Sequence, residues 1–306
     1  MEDGKRAPGT KMVLIWAASL VAAVLITLFA SSYFIRSWHR DANSLSIQKQ
    51  ALIADMRINL VRSVEKEKSA VLASDDEQSR NFVEQSRSAS VQVDRDLKSL
   101  NRIMAQGGSA RESDLLKKFE ATWNNVRQID GVLLESAMQN TNVKAFELSN
   151  TIGAELLRKI DDNLVKLTAK VTPPARRSQM EKIATEVGIA VRNIALCQPR
   201  HINTAADDDK KGIEVYMQAE GLKAGASLKT LDTMTGNKSR AYVKEAIADF
   251  SEYMRVNEEI VRLSHLNTNR SAVELSLGKK RLAEAECDRT LKSLQSLAAG
   301  EARNGS

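Results

Sequence analysis

From Ser44 onward the apolar residues recur three and four positions apart, the spacing of one buried face of an α-helix. Ile47, Ala51, Met56, Leu60, Val64 and Leu72 make the first stripe. Asp75-Asp76 interrupts it, with Ser74 placed to cap the next helix, which the pattern carries from about Glu77 to Ala105. Gln106-Gly107-Gly108-Ser109 is a stop signal. From Ala110 to Val171 the stripe runs on through Phe119, Trp123, Val126, Phe146, Leu156 and Leu164 with no strong breaker, which predicts a single helix. At the α-helical rise it would be roughly 90 Å long. Gly131 and Gly153 weaken that helix without ending it, and Thr172-Pro173-Pro174 stops it. The plan then repeats. One helix is expected over Arg176–Cys197, a turn at Pro199 and Asn203–Asp209, and a helix to Met234. After a stop at Thr235-Gly236-Asn237, a last long helix is expected over Ser239–Ala299.

The repetition extends to the residues. Asn140-Thr141-Asn142-Val143-Lys144-Ala145-Phe146-Glu147-Leu148-Ser149 returns as Asn267-Thr268-Asn269-Arg270-Ser271-Ala272-Val273-Glu274-Leu275-Ser276, seven of ten identical at an offset of 127. Leu60-Val61-Arg62 echoes Ala190-Val191-Arg192 at an offset of 130. One helical unit has been duplicated, over about 41–171 and 172–299. The expected fold is all-α, with six helices in the order short, short, long, twice. They would form two stacked four-helix bundles that share the two long helices. One bundle would comprise 41–107, 110–140 and 270–299, and the other 142–268. Both Asn-Thr-Asn triplets would then sit where the bundles meet, with Asn140, Asn142, Asn267 and Asn269 satisfying buried loop backbone. Two self-closing tandem bundles are the competing arrangement.

Ahead of the stripes, Met12–Ile35 carries no charge and is long enough to cross a bilayer. Trp16, Tyr33, Phe34 and Trp38 stand near its ends, as interfacial aromatics do. The reading is an uncleaved anchor over 12–36 with a cytoplasmic tail at 1–11. The domain at 37–299 is then periplasmic and the protein single-pass in the inner membrane, with 300–306 a flexible end.

Composition supports helix. Aromatic residues are 4% of the chain, with 4 Pro and 14 Gly. The net charge of +6 comes from acids and bases interleaved along helical faces rather than from a basic stripe, so nucleic acid is not an expected partner. Cys197 and Cys287 have no CxxC partner, and His39, His201 and His265 are scattered, so no metal or cofactor is expected. Neither a phosphate-binding glycine loop nor a GxSxG elbow occurs, and no enzyme is expected.

Met56-Arg57-Ile58-Asn59-Leu60-Val61-Arg62 through Val71-Leu72-Ala73-Ser74-Asp75-Asp76-Glu77 resembles the first helix of the four-helix-bundle sensor domains of bacterial methyl-accepting chemotaxis receptors. Phe119-Glu120-Ala121-Thr122-Trp123 through Leu167 resembles their later helices, and the duplication is similar to the helical bimodular version of that domain. The resemblance spans nearly all of 36–299. The family's second span and methylated signalling hairpin have no counterpart among these residues.

The resemblance implies a homodimeric sensor of a small anionic ligand, a carboxylate or an amino acid, that signals by a small helix shift. It also implies arginines gripping the ligand carboxylate, for which the planar guanidinium fork is suited. Arg62 and Arg192 are the repeated arginines, and each follows an apolar pair. In the stacked arrangement Arg57 and Arg62 would face Asp130 and Arg281, and Arg192 would face Thr151, Arg255 and Arg262. The plainer alternative is that Arg62 and Arg192 pair with acids on neighbouring helices. The rival to the sensor is a membrane-tethered helical rod that recruits or spaces protein partners.

Overall fold

The computed structural model describes residues 44–304, and these are helical apart from short connections, with no strand among them. There are six long helical runs. α1 covers 44–71, α2 Asp76–Gly107 and α3 Ala110–Gln139. α3 is continued by α4 (Thr141–Leu148), a π-turn (Ser149–Gly153) and α5 (Ala154–Ala169). α6 is Pro174–Asn203 and α7 Asp207–Met234. α8 (Arg240–Leu266) is continued by α9 (Thr268–Leu275), a second π-turn (Ser276–Lys280) and α10 (Arg281–Asn304).

Local chemistry sets several of these ends. At α3, Ser109 and Glu112 form a reciprocal capping box. The Glu112 N–H donates to Ser109 Oγ (3.3 Å), and the Ser109 N–H to Glu112 Oε2 (2.9 Å). At α2 the cap is Asp75, which accepts the Gln78 N–H at 2.8 Å, so the acid one residue beyond the expected Ser74 does the work. α6 opens with Pro174 in its first turn and keeps Pro199 inside, running on to Asn203 where the sequence pointed to an end near Cys197. Proline removes one N–H from the ladder, and the buried Ile194, Cys197 and Ile202 on the same face hold the rest in place. The uninterrupted helix expected over 110–171 is also broken. Asn140 (φ 52°) and Asn267 (φ 49°) adopt the left-handed conformation, which asparagine tolerates better than other non-glycine residues.

The chain divides into two compact units. The first takes 44–64, 87–127 and 282–304, and the second 65–86 and 128–281. In the first, four helical segments enclose one core. Met56, Leu100, Phe119, Trp123, Cys287 and Leu291 fill it, and Phe119 stacks on Trp123 at 6.3 Å. In the second, α5, α6, α7 and α8 enclose the larger core, built from residues such as Ile160, Val187, Ile194, Leu228, Phe250 and Tyr253. A smaller cluster there gathers Val71, Val83, Leu133, Leu134 and Ala272. Cys197 and Cys287 are buried free thiols.

The expected inner-membrane, periplasm-facing location is corrected. No helix among the described residues is long and apolar enough to cross a membrane, because every long helix carries a charged face. The span expected at 12–36 lies outside the described residues.

Candidate functional site

The duplicated Asn-Thr-Asn triplets meet inside the second unit. A break into the left-handed region starts a new helix, whose first N–H groups have no acceptor within it. Each repeat supplies the other. The Thr141 N–H donates to Thr268 Oγ1 and the Thr268 N–H to Thr141 Oγ1, both at 3.2 Å. The Asn142 N–H donates to Asn269 Oδ1 at 3.0 Å. Side chains complete the layer. Asn269 Nδ2 donates to Asn140 Oδ1 (2.5 Å), and Asn142 Nδ2 to both Asn267 Oδ1 (2.9 Å) and the Ile202 carbonyl (3.2 Å). The last bond satisfies backbone at the end of α6, the role the sequence assigned to these asparagines.

Nine residues downstream of each left-handed Asn the helix widens into its π-turn. An open groove of about 700 Å³ runs beside the first of these. Thr141, Lys144, Thr151 and Ile152 line one side, and Glu259 and Arg262 on α8 the other. Lys144 pairs with Asp76 at 2.9 Å and Arg262 with Glu259 at 2.7 Å.

The arginines and their expected companions fall as follows. In the first unit Arg57 donates to Asp288 (3.2 Å) and Gln295 (2.8 Å), and Arg62 is exposed on α1. In the second unit Asp130 is buried against Lys280 at 2.6 Å, and Arg281 is exposed. Arg192 pairs with Asp161 on α5, the plainer of its two expected fates, beside a smaller open groove of about 380 Å³. Burial holds the Asp161 carboxyl above its ordinary pKa against the pull of Arg192. Arg255 is exposed and forks onto Glu252 three residues earlier. Thr151 Oγ1 donates to the Glu147 carbonyl at 2.7 Å. Thr151 and Arg262 thus share one groove, while Arg192 lines another.

Two clusters escape a reading by sequence alone. One is ionic, with Lys280 between Glu67 (2.7 Å) and Asp130 (2.6 Å), all three buried. The other joins three helices. Glu214 Oε1 on α7 lies 2.9 Å from His201 Nε2 on α6 and 2.8 Å from His265 Nε2 on α8. Burial lowers the His201 pKa, against the raising effect of Glu214. Burial pushes the Glu214 carboxyl up, but the bonds from His201 and His265 outweigh it and the net shift is downward. The available signal was that His201 continues the apolar face of Ile194 and Cys197 at helical spacing.

No protein-family model and no curated protein matches the chain. A solved structure of a de novo designed protein switch, Co-LOCKR, is similar over 90% of this chain and 98% of its own, at 16% identity and a TM-score of 0.24. At that score the likeness carries no argument.

Proposed function

We propose that this chain is a helical sensor module of the chemoreceptor type, which binds a small anionic ligand, a carboxylate or an amino acid, in its second unit. The observation that carries the reading is the groove beside the first π-turn, lined by Thr151 and Arg262. It lies along the stretch where the long helical run departs from α geometry, and such departures concentrate at functional positions. A ligand carboxylate there would take the Arg262 fork from Glu259, with Lys144 adding a second positive charge. Exchange of an internal carboxylate for a ligand one would alter how α4 packs on α8, a local event of the kind a helix shift needs. A homodimer belongs to this same reading.

The second reading is a helical module that engages protein partners and takes no small ligand. It is favoured by the exposure of Arg192, Arg255 and Arg262, each already paired with a carboxylate of the protein itself.

Thermal melting of the full chain against small carboxylates and amino acids separates the two. A ligand at about 100 times its dissociation constant adds about 2.7 kcal/mol. The sensor reading expects a saturable upward shift that Arg262→Ala abolishes and Arg192→Ala leaves intact. A flat panel sinks the sensor reading and leaves the interaction module.

A further inference from the structure

We propose that His201, Glu214 and His265 form a three-ligand site for a divalent transition-metal ion, with zinc the best match. Two imidazoles and one carboxylate are a common set for a zinc ion that keeps its fourth position open to water. The three candidate ligand atoms all lie within 4.8 Å of one another. They come from α6, α7 and α8, so their convergence follows from tertiary packing of three helices and not from local sequence.

The hydrogen bonds around His201 point the same way. Ser264 Oγ lies 2.8 Å from His201 Nδ1 and also donates to the His201 carbonyl at 3.0 Å. A hydroxyl has one hydrogen to give. With it on the carbonyl, Ser264 accepts from Nδ1–H, a tautomer assigned here from the hydrogen-bond network. A neutral ring then turns a bare Nε2 lone pair toward a carboxylate oxygen 2.9 Å away. Two lone pairs at that distance need a cation between them, either a second proton on the ring or a metal ion. A bound metal ion supplies it and leaves every bond of Ser264 intact, with the serine oriented as an outer-shell partner of a metal-bound imidazole.

The geometry admits the ion with little movement. Tetrahedral zinc with bonds of about 2.0–2.1 Å holds its ligand atoms about 3.4 Å apart. The two Glu214 contacts of 2.8 and 2.9 Å must therefore open slightly, and the two imidazole nitrogens, within 4.8 Å of one another, must settle to the same spacing. The His201 side chain is fully buried, but those of Glu214 and His265 are 32% and 39% exposed, so the outer two can shift and the site is open to solvent. The nearby cation, Lys210, is held by the Ser264 carbonyl. His265 lies two residues before the left-handed Asn267, so a metal ion here would tie the α6–α7 hairpin to the end of α8.

The test is calorimetric titration of the untagged, chelator-treated full chain with Zn²⁺, beside Glu214→Gln and His265→Gln. The expected result is one ion per chain, a melting temperature that rises with Zn²⁺ and falls back with chelator, and at least a hundredfold weaker binding in both variants. Absence of binding by the parent, or binding by either folded variant as tight as the parent's, overturns the proposal. Should either variant fail to fold, Co²⁺ added to the parent decides. Intense visible bands of a four-coordinate ion, without a thiolate charge-transfer band, support the site, and the weak spectrum of hydrated Co²⁺ overturns it.

Discussion

Lys280 shows what a single residue does in this molecule. It is buried, and its ammonium lies 2.7 Å from Glu67 and 2.6 Å from Asp130. Moving three charges out of water is unfavourable, and their mutual attraction offsets this only while all are present. Lys280→Met leaves two buried carboxylates facing each other and should lower unfolding stability by about 3–5 kcal/mol, read as a fall in the urea midpoint. Replacing Glu67 and Asp130 by leucine in the same chain should recover most of that loss, since the two buried carboxylates go too. A Lys280→Met chain as stable as the parent would show that the cluster is balanced by other groups. The same contact accounts for Asp130, which the sequence offered as a ligand-facing acid and which is held instead by an internal lysine.

At the scale of elements, the repeated helix breaks are the distinctive feature. Asn267→Gly and Asn267→Val both lose the bond that Asn267 Oδ1 accepts from Asn142 Nδ2, at about 1 kcal/mol. Only valine also has to hold a left-handed backbone, at about 1–2 kcal/mol more. The valine variant should therefore melt below the glycine variant by that increment, and equal melting would mean the break relaxes freely. Thr141→Val and Thr268→Val remove the hydroxyls that cap each other's helix, so a double-mutant cycle should give a coupling of about 0.5–3 kcal/mol. The repeat and the helix order were legible because apolar periodicity and the Asn140–Ser149 echo are properties of the chain itself. The break was not, since asparagine enters the left-handed region without a glycine or proline to announce it. The π-turns have no residue signature either, and Pro199 misled because tertiary packing carries α6 past it. Of the groove, Thr151 and Arg262 were readable by helix height. The His201, Glu214 and His265 cluster was not, because it depends on three helices meeting.

For the molecule as a whole, its buried acids with raised pKa values set its response to alkali. Burial pushes the Cys287 thiol up to about 12, with Glu284 and Glu286 adding to the shift. Burial likewise raises Cys197 and, still further, Tyr253. Cys287 belongs to the first unit, and the other two to the second. A group whose pKa is higher folded than unfolded keeps its proton longer in the native state, so its stabilisation is complete below the unfolded pKa. That stabilisation is lost as pH climbs toward the folded value. The unfolded thiols ionise near pH 8.5 and the unfolded tyrosine near 10, so stability should be level near neutrality and decline from about pH 8.5 upward. With its folded value near 12, Cys287 contributes a loss of about 1.9 kcal/mol between pH 8 and pH 10, and Cys197 adds to the decline in the same direction. Cys287→Ala, whatever it costs at neutral pH, should therefore show a shallower decline over that interval by about the same amount, measured by urea unfolding at each pH. In the native protein at pH 8, Cys287 should also resist thiol reagents that label it promptly once the chain is unfolded, because the thiolate is the reactive form. Prompt labelling in the native state, with an unchanged slope in Cys287→Ala, would place that thiol in contact with water and remove burial as the origin of the alkaline decline.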